Sequence, residues 1–297
     1  MLSINTNSAS MEAVNAINTS NASLSKSMQR LATGNRINSS ADDAAGKQIA
    51  NRLTAQSDGM AVAQRNIADA TAMLQTADGM FDEMNDIMGR MKDLATQAAN
   101  GTYSDDDRSA MQSEFDELGQ EMSDMLQNTT YGGTNLFNGS GGLFSSASGV
   151  TFQVGPEASD QMTVNISTDL KGLVSDLSSL SSAFSKDQTV SGASAFSGTE
   201  LMTSDSATAT ISALEDAMKD VGTIQSTLGA SVNRLQDTAN NLQSMQDNTT
   251  VAIGNVMDTD YALEASNMSK EQVLMQTGIT MLKQSNSMSG MVSSLLQ

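Results

Sequence analysis

The sequence contains no histidine, no cysteine and no tryptophan, and a single proline, Pro156. Without cysteine there can be no disulfide, thiolate metal site or cysteine nucleophile. Without histidine there is no imidazole base or ligand. One proline in 297 residues leaves almost nothing to interrupt long helices. Aromatic residues are 3% of the chain, so a core must be built from aliphatic side chains and methionine, of which there are 22. Methionine suits adaptable helix seams better than a rigid ligand pocket. Basic residues are scarce too. Fifteen Lys and Arg stand against 34 Asp and Glu, a formal charge of −19. That balance argues against nucleic acid and anionic membrane surfaces as partners. No apolar run approaches the ~20 residues of a membrane span. The first residues, Met1-Leu-Ser-Ile-Asn-Thr-Asn7, have neither the basic start nor the apolar stretch of a cleaved secretory signal.

What is present is helical periodicity at both ends of the chain. Met60, Ala63, Ile67, Ala70, Leu74, Ala77, Phe81, Met84, Met88, Met91, Ala95 and Ala98 alternate spacings of three and four. This predicts a seam-forming helix of about 60 Å, closed near Asn100-Gly101. Ser104 then reads as the N-cap of a returning helix whose first turn holds Asp105, Asp106 and Asp107. Its stripe is Met111, Phe115, Leu118, Met122 and Met125. A matching long helix is expected from Ile211, Leu214, Met218, Val221, Leu228, Val232, Leu235, Ala239, Leu242, Ile253 and Val256. Gln225, Gln246 and Thr249 interrupt it as register-setting polar residues, and Gly222, Gly229 and Gly254 weaken its continuity.

The extreme ends repeat the pattern. Val14, Ile17, Asn21, Leu24, Met28 and Leu31 form one stripe, and Leu274, Gly278, Met281, Ser285, Met288, Val292 and Leu295 the other. Both segments are rich in Ser, Asn and Thr, so alone in water they are marginal helices that need packing partners. Between the halves, Tyr131-Gly132-Gly133 and Gly139-Ser140-Gly141-Gly142 mark turns. Val150, Phe152 and Val154 alternate, as do Met162, Val164 and Ile166, which predicts a hairpin around Pro156. The stretch after Lys171 is Ser-rich and carries little signal. The expected fold class is therefore mainly α: a long antiparallel helical bundle and coiled-coil rod built from both chain ends, with a small β-hairpin region. The run Asp105–Asp107 lacks the ligand spacing of a calcium loop, and no metal, cofactor or catalytic residue is expected. The Ser and Thr of 144–210 read as loop chemistry.

Residues 31–53, Leu-Ala-Thr-Gly-Asn-Arg-Ile-Asn-Ser-Ser-Ala-Asp-Asp-Ala-Ala-Gly-Lys-Gln-Ile-Ala-Asn-Arg-Leu, resemble the N-terminal signature of bacterial flagellins. The likeness continues through Gln64-Arg65-Asn66, Gln75–Gly79, Leu94–Thr102, Leu228–Leu235, Met275–Asn286 and the final Leu295-Leu296-Gln297. It covers roughly residues 1–138 and 205–297. The resemblance implies a non-enzymatic structural subunit that self-assembles into the extracellular flagellar filament for motility, exported without a cleaved signal peptide. A hook–filament junction protein is the alternative. It implies residues 1–42 and 256–297 as the two halves of an inner coiled-coil domain, assembling through Val14, Ile17, Leu24, Met28, Leu31, Leu274, Met281, Met288, Val292 and Leu295. Residues 43–255 would form a helical domain with its β-element around 132–200, lacking large outer domains. Implied partners are further copies of the chain, the flagellar export apparatus, a secretion chaperone, and the filament cap and hook-junction proteins. A host Toll-like receptor is implied at Arg90, Leu94 and Glu114, with Gly89 departing from the family's usual Gln.

Overall fold

The computed structural model describes residues 7–138, 141–181, 184 and 198–295. The expected turn residues Gly139-Ser140, most of the Ser-rich stretch 182–197, and the terminal Leu296-Gln297 lie outside them. The helices are α1 (Ser8–Thr33), α2 (Ala44–Ala99), α3 (Asp105–Asn128), α4 (Ser167–Leu180), α5 (Ser204–Met257) and α6 (Tyr261–Leu295). Two antiparallel hairpins accompany them: β1 (Thr130–Tyr131) with β2 (Thr134–Asn135), and β3 (Val150–Gln153) with β4 (Gln161–Val164). The mainly helical class with a small β region is thus what the chain adopts.

The chain divides into two compact units, residues 1–58 with 246–297, and residues 59–245. Their limits fall inside α2 and α5. The limits expected at 42/43 and 255/256 instead sit beside the helix breaks. The first turns of α2 and the last of α5 make their contacts within the terminal unit, which accounts for the difference.

The larger unit holds the main core. Every α2 seam position named above, from Met60 to Ala98, is buried. Helix α5 runs antiparallel to α2. Gln64 donates to Gln243 at 3.2 Å, Lys92 pairs with Glu215 at 2.9 Å, and Ser204 donates to the Ala99 carbonyl at 2.7 Å. The expected polar interruption at Gln225 is satisfied in place: it donates to Asp82 at 2.7 Å and accepts from Asn85 at 3.2 Å. Continuity of α5 is unbroken through Gly222 and Gly229, where an added Cβ would meet nothing within 4 Å.

One detail of α5 differs from the expected seam. Leu214, Val221, Leu228, Leu235 and Leu242 are buried as expected. Their buried companions, however, are Ala217, Ile224 and Ser231, while Met218 and Val232 are half-buried. The helix packs a stripe broader than a two-position seam.

Ser104 and Asp107 form a reciprocal capping box at the start of α3, which contributes about 1 kcal/mol. Phe115 and Met122 carry its apolar face into the core. Gly132 and Gly133, at φ 58° and 82°, make the two-residue turn between β1 and β2. Val150 pairs with Val164 and Phe152 with Met162 across β3 and β4, the hairpin expected around Pro156. Helix α4 has no counterpart in the sequence reading. It buries Leu170, Leu173, Leu177 and Leu180. Gln112 fastens the lead-in to α5 onto α3, donating to the buried Glu200 at 2.6 Å and accepting from the Leu201 amide at 2.7 Å.

Candidate functional site

The signature segment builds the turn between α1 and α2. Gly34 closes α1 at φ 74°, in the left-handed region, its amide donating to the Arg30 carbonyl. Arg36 reaches the end of α5: its amide donates to the Met257 carbonyl at 2.6 Å and its guanidinium to that of Val256 at 2.8 Å. The Thr259 amide returns a bond to the Gly34 carbonyl at 2.9 Å. A segment near the N-terminus therefore caps a helix more than 200 residues away. Asp42 accepts from the amides of Asn38 and Ser39, and Asp43 from that of Gly46. At Gly46 an added Cβ would lie 2.6 Å from Asp43 Oδ2 and 2.7 Å from Ile37 Cδ1, so those side chains would have to shift. The bond from Lys26, together with those amides, holds the Asp42 carboxyl well below the usual carboxylate range.

Beyond this turn α1 and α6 pair antiparallel. Asn7 donates to Ser285 at 3.0 Å, Ser10 to Asn286 at 3.2 Å, and Arg30 pairs with Glu264 at 3.5 Å. Ile17 nests against Gly278, where a Cβ would approach its Cγ1 to 2.8 Å. Small, polar and larger apolar residues share this seam. On α1 the covered positions are Ser10, Ala13, Ile17, Ser20, Ser23, Leu24, Ser27, Arg30 and Leu31. On α6 the described ones are Glu264, Ala265, Met268, Glu271, Met275, Gly278, Leu282 and Ser285.

The stripes expected from the sequence are thus split. Leu24 is buried, and Ile17 and Leu31 are half-buried. Val14, Met28, Leu274, Met281 and Met288 are exposed, one position off the seam. Part of the expected stripes, Ile17, Leu24 and Leu31, lies within the pair, and part is left uncovered by it. The side chains of Val292 and Leu295 lie outside the described set.

Exposed apolar surface is concentrated here. Thirteen of the sixteen exposed large apolar side chains described belong to the terminal unit; only Val62, Tyr103 and Met245 belong to the other. The buried hydrophobic residues of the terminal unit are Leu24, Ile37 and Ala50 alone among those described. Apolar surface so arranged marks an interaction site.

In the larger unit Arg90 holds Glu114 through two donors, Nε at 2.9 Å and an Nη at 2.6 Å, on an exposed surface. Leu94 does not share that exposure. It is 2% accessible and packs inward, so it positions α2 rather than presenting apolar surface.

Several carboxyls of this unit are pushed up. Burial raises Asp78, helped by the Asp82 charge. Burial also raises Asp116, opposed by its bond from Gln112 and helped by Glu200, and Asp176, helped by Asp220 and Asp216. A carboxyl raised in the folded state costs stability at neutral pH, and the cost is relieved as pH falls through the raised value. Thermal unfolding of the larger unit is therefore expected at a higher midpoint at pH 5 than at pH 7. A flat or falling midpoint across that window, read by circular dichroism, would contradict these assignments. Among the described residues no three acidic side chains form a metal-binding group, and no helix is long and apolar enough to cross a membrane.

Residues 4–141 match the bacterial flagellin N-terminal helical region and residues 211–296 the C-terminal helical region. A flagellin of Listeria monocytogenes is 33% identical over 298 residues, covering 99% of both chains. The chain belongs to the bacterial flagellin family. Flagellin A of Vibrio anguillarum is 31% identical over 377 residues, spanning the whole of each chain. A solved chain described as a flagellar hook-associated protein of Vibrio parahaemolyticus shares the fold at a TM-score of 0.53. It is 16% identical and covers 73% of this chain and 100% of its own. That likeness speaks to fold alone, and the full-length relatives named as flagellins leave the junction-protein alternative no better supported. As a flagellin the chain is a structural subunit that self-assembles into the flagellar filament.

Proposed function

We propose that the terminal helices are the polymerisation element of this flagellin, and that their exposed apolar lines dock on further copies of the chain. The observation that carries this reading is the concentration of exposed apolar side chains on α1 and α6, next to a seam that mixes small, polar and apolar residues. A pair so lightly packed is marginal by itself and gains its stability from neighbours. Contacts between unlike surfaces of successive copies generate an open helical polymer. Residues 1–42 and 256–297 serve as its assembly module, with Val14, Met28, Leu274, Met281 and Met288 facing neighbouring subunits. Ile17, Leu24 and Leu31 hold the pair itself, and Val292 and Leu295 extend the α6 line. Residues 43–255 form the remaining module, with the hairpins. Leu274→Glu and Met281→Glu should each abolish polymerisation while the larger unit melts unchanged. Normal polymer yield from either variant, measured by sedimentation, would refute the assignment.

The polymer is extracellular, and the subunit leaves the cell unfolded through the flagellar export apparatus without a cleaved signal. A secretion chaperone covers the apolar termini beforehand, and the filament cap and hook-junction proteins bind them at the ends of the polymer. Lack of cysteine suits such passage, since no crosslink can form in transit.

Arg90 and Glu114, positioned by Leu94, form the patch for a host Toll-like receptor. The guanidinium and carboxylate already satisfy each other in the free chain, so a receptor must offer matching polar groups to exchange with them. Gly89 leaves the neighbouring position without a side chain and lowers that affinity. Arg90→Ala is expected to weaken receptor binding about tenfold or more; unchanged binding in a surface assay would remove this patch from the account.

A further inference from the structure

The described methionines range from fully buried to largely exposed. Met60, Met84, Met88, Met91 and Met122 are 0% accessible in the core of the larger unit. Met11, Met28, Met281 and Met288, on α1 and α6, are 62%, 48%, 63% and 56% accessible. The chain contains no cysteine and no tryptophan, so these exposed thioethers are the most readily oxidised groups at its surface. They also stand among the apolar residues next to the α1–α6 seam: Met28 is on the line of Val14, and Met281 and Met288 are on that of Leu274.

We propose that Met11, Met28, Met281 and Met288 are reversible oxidation sites that make assembly sensitive to peroxide. The inference rests on the terminal helices being the polymer contact. Hydrogen peroxide transfers one oxygen atom to the sulfur. Its O–O bond breaks and an S–O bond forms; the thioether is oxidised by two electrons to the sulfoxide, and the peroxide is reduced to water. The product replaces a flexible apolar side chain by a polar one. On a surface that must be dehydrated against a neighbouring subunit, an unmatched sulfoxide opposes burial. Each is expected to raise the concentration needed for assembly by about tenfold, the factor that one poorly satisfied polar group commands. Once docked the same sulfurs are shielded. Oxidation therefore acts on the unassembled subunit and spares the polymer, and a thiol-dependent sulfoxide reductase restores competence.

The experiment treats full-length monomer with hydrogen peroxide, locates the sulfoxides by mass spectrometry and measures polymer yield. Expected is modification of these four methionines, with the exposed Met245 and Met291, ahead of the buried ones, loss of most polymer, and recovery after reductase treatment. The larger unit should melt unchanged. In a chain carrying Met11→Leu, Met28→Leu, Met281→Leu, Met288→Leu and Met291→Leu, peroxide should leave polymer yield at that variant's own untreated level, since leucine cannot be oxidised. If that variant assembles poorly before treatment, reductase recovery of the unsubstituted chain decides the matter. Undiminished yield with all four sulfoxides confirmed would overturn the inference, as would equal loss in an assembly-competent leucine variant. Failure of untreated protein to polymerise at all would instead strike the assembly reading on which the inference stands.

Discussion

Removing residues 280–297 is expected to abolish filament formation and leave a folded, soluble monomer. The truncation takes away Met281 and Met288 from the exposed apolar line. It also removes the bonds from Asn7 to Ser285 and from Ser10 to Asn286 that fasten the outer end of α1. Nothing in the larger unit depends on those residues, because its core is drawn from residues 59–245. Its thermal midpoint should match that of the intact chain, while sedimentation detects no polymer under seeding or salt conditions that polymerise the intact protein. The inner end of α6 keeps its attachment through Arg30 with Glu264 and through the Arg36 clasp on α5. The loss is therefore specific to assembly. Filaments from the truncated chain would show that the outer turns of α6 are dispensable.

The second large effect concerns the core that keeps α2 and α5 aligned. Phe81 is fully buried and packs its ring edge-on against Phe137 at 5.2 Å, with Phe144 stacked beyond at 5.7 Å. The chain has only seven phenylalanines, so this cluster concentrates much of its aromatic packing. Edge-on geometry adds to the area term. Phe81→Ala removes both and leaves a cavity that a close-packed helical seam cannot collapse into. The expected cost is about 3–5 kcal/mol, a fall on the order of 10 °C in thermal midpoint for a unit of this size. Gln75→Ala, on the exposed face of the same helix, serves as the comparison and should move stability by no more than about 0.5 kcal/mol. Equal midpoints for the two variants would mean that the aromatic cluster does not hold the bundle.

How much of this could be read in the sequence depended on where each side chain's partner lies. The α2 seam was fully legible, because its apolar residues meet other residues of the same chain and are buried as their spacing requires. The capping box at Ser104 and the turn at Gly132-Gly133 were legible for a local reason: short-range hydrogen bonding and positive φ demand those residue types. Helix α4 was hidden by its serines, although Leu170, Leu173, Leu177 and Leu180 carry helical spacing that a closer count would have found. The terminal helices were legible in part. Their intramolecular seam includes Ile17, Leu24 and Leu31 of the expected stripe, together with Ser20, Ser27, Gly278 and Ser285, which give no hydrophobic signal. Other apolar residues of the expected stripes, Val14, Met28, Leu274 and Met281, face away from it. Periodicity reveals that a face is apolar and not which molecule covers it. Likewise the resemblance implied Leu94 beside Arg90 and Glu114 in a receptor patch, whereas packing turns it inward.

The signature segment shows the opposite case. Its residues were recognisable as a pattern before any reason for them could be given. The structure supplies the reasons: a left-handed cap at Gly34, a long-range cap from Arg36, amide bonds to Asp42 and Asp43, and close contacts at Gly46 that a Cβ would displace. These tie the two chain ends together at the base of the α1–α6 pair.

The most direct measurement is electron microscopy of the full-length protein after seeded or salt-induced polymerisation. Long, uniform filaments that depolymerise to monomer are the predicted result. Short rings, or no polymer under any condition, would contradict the account.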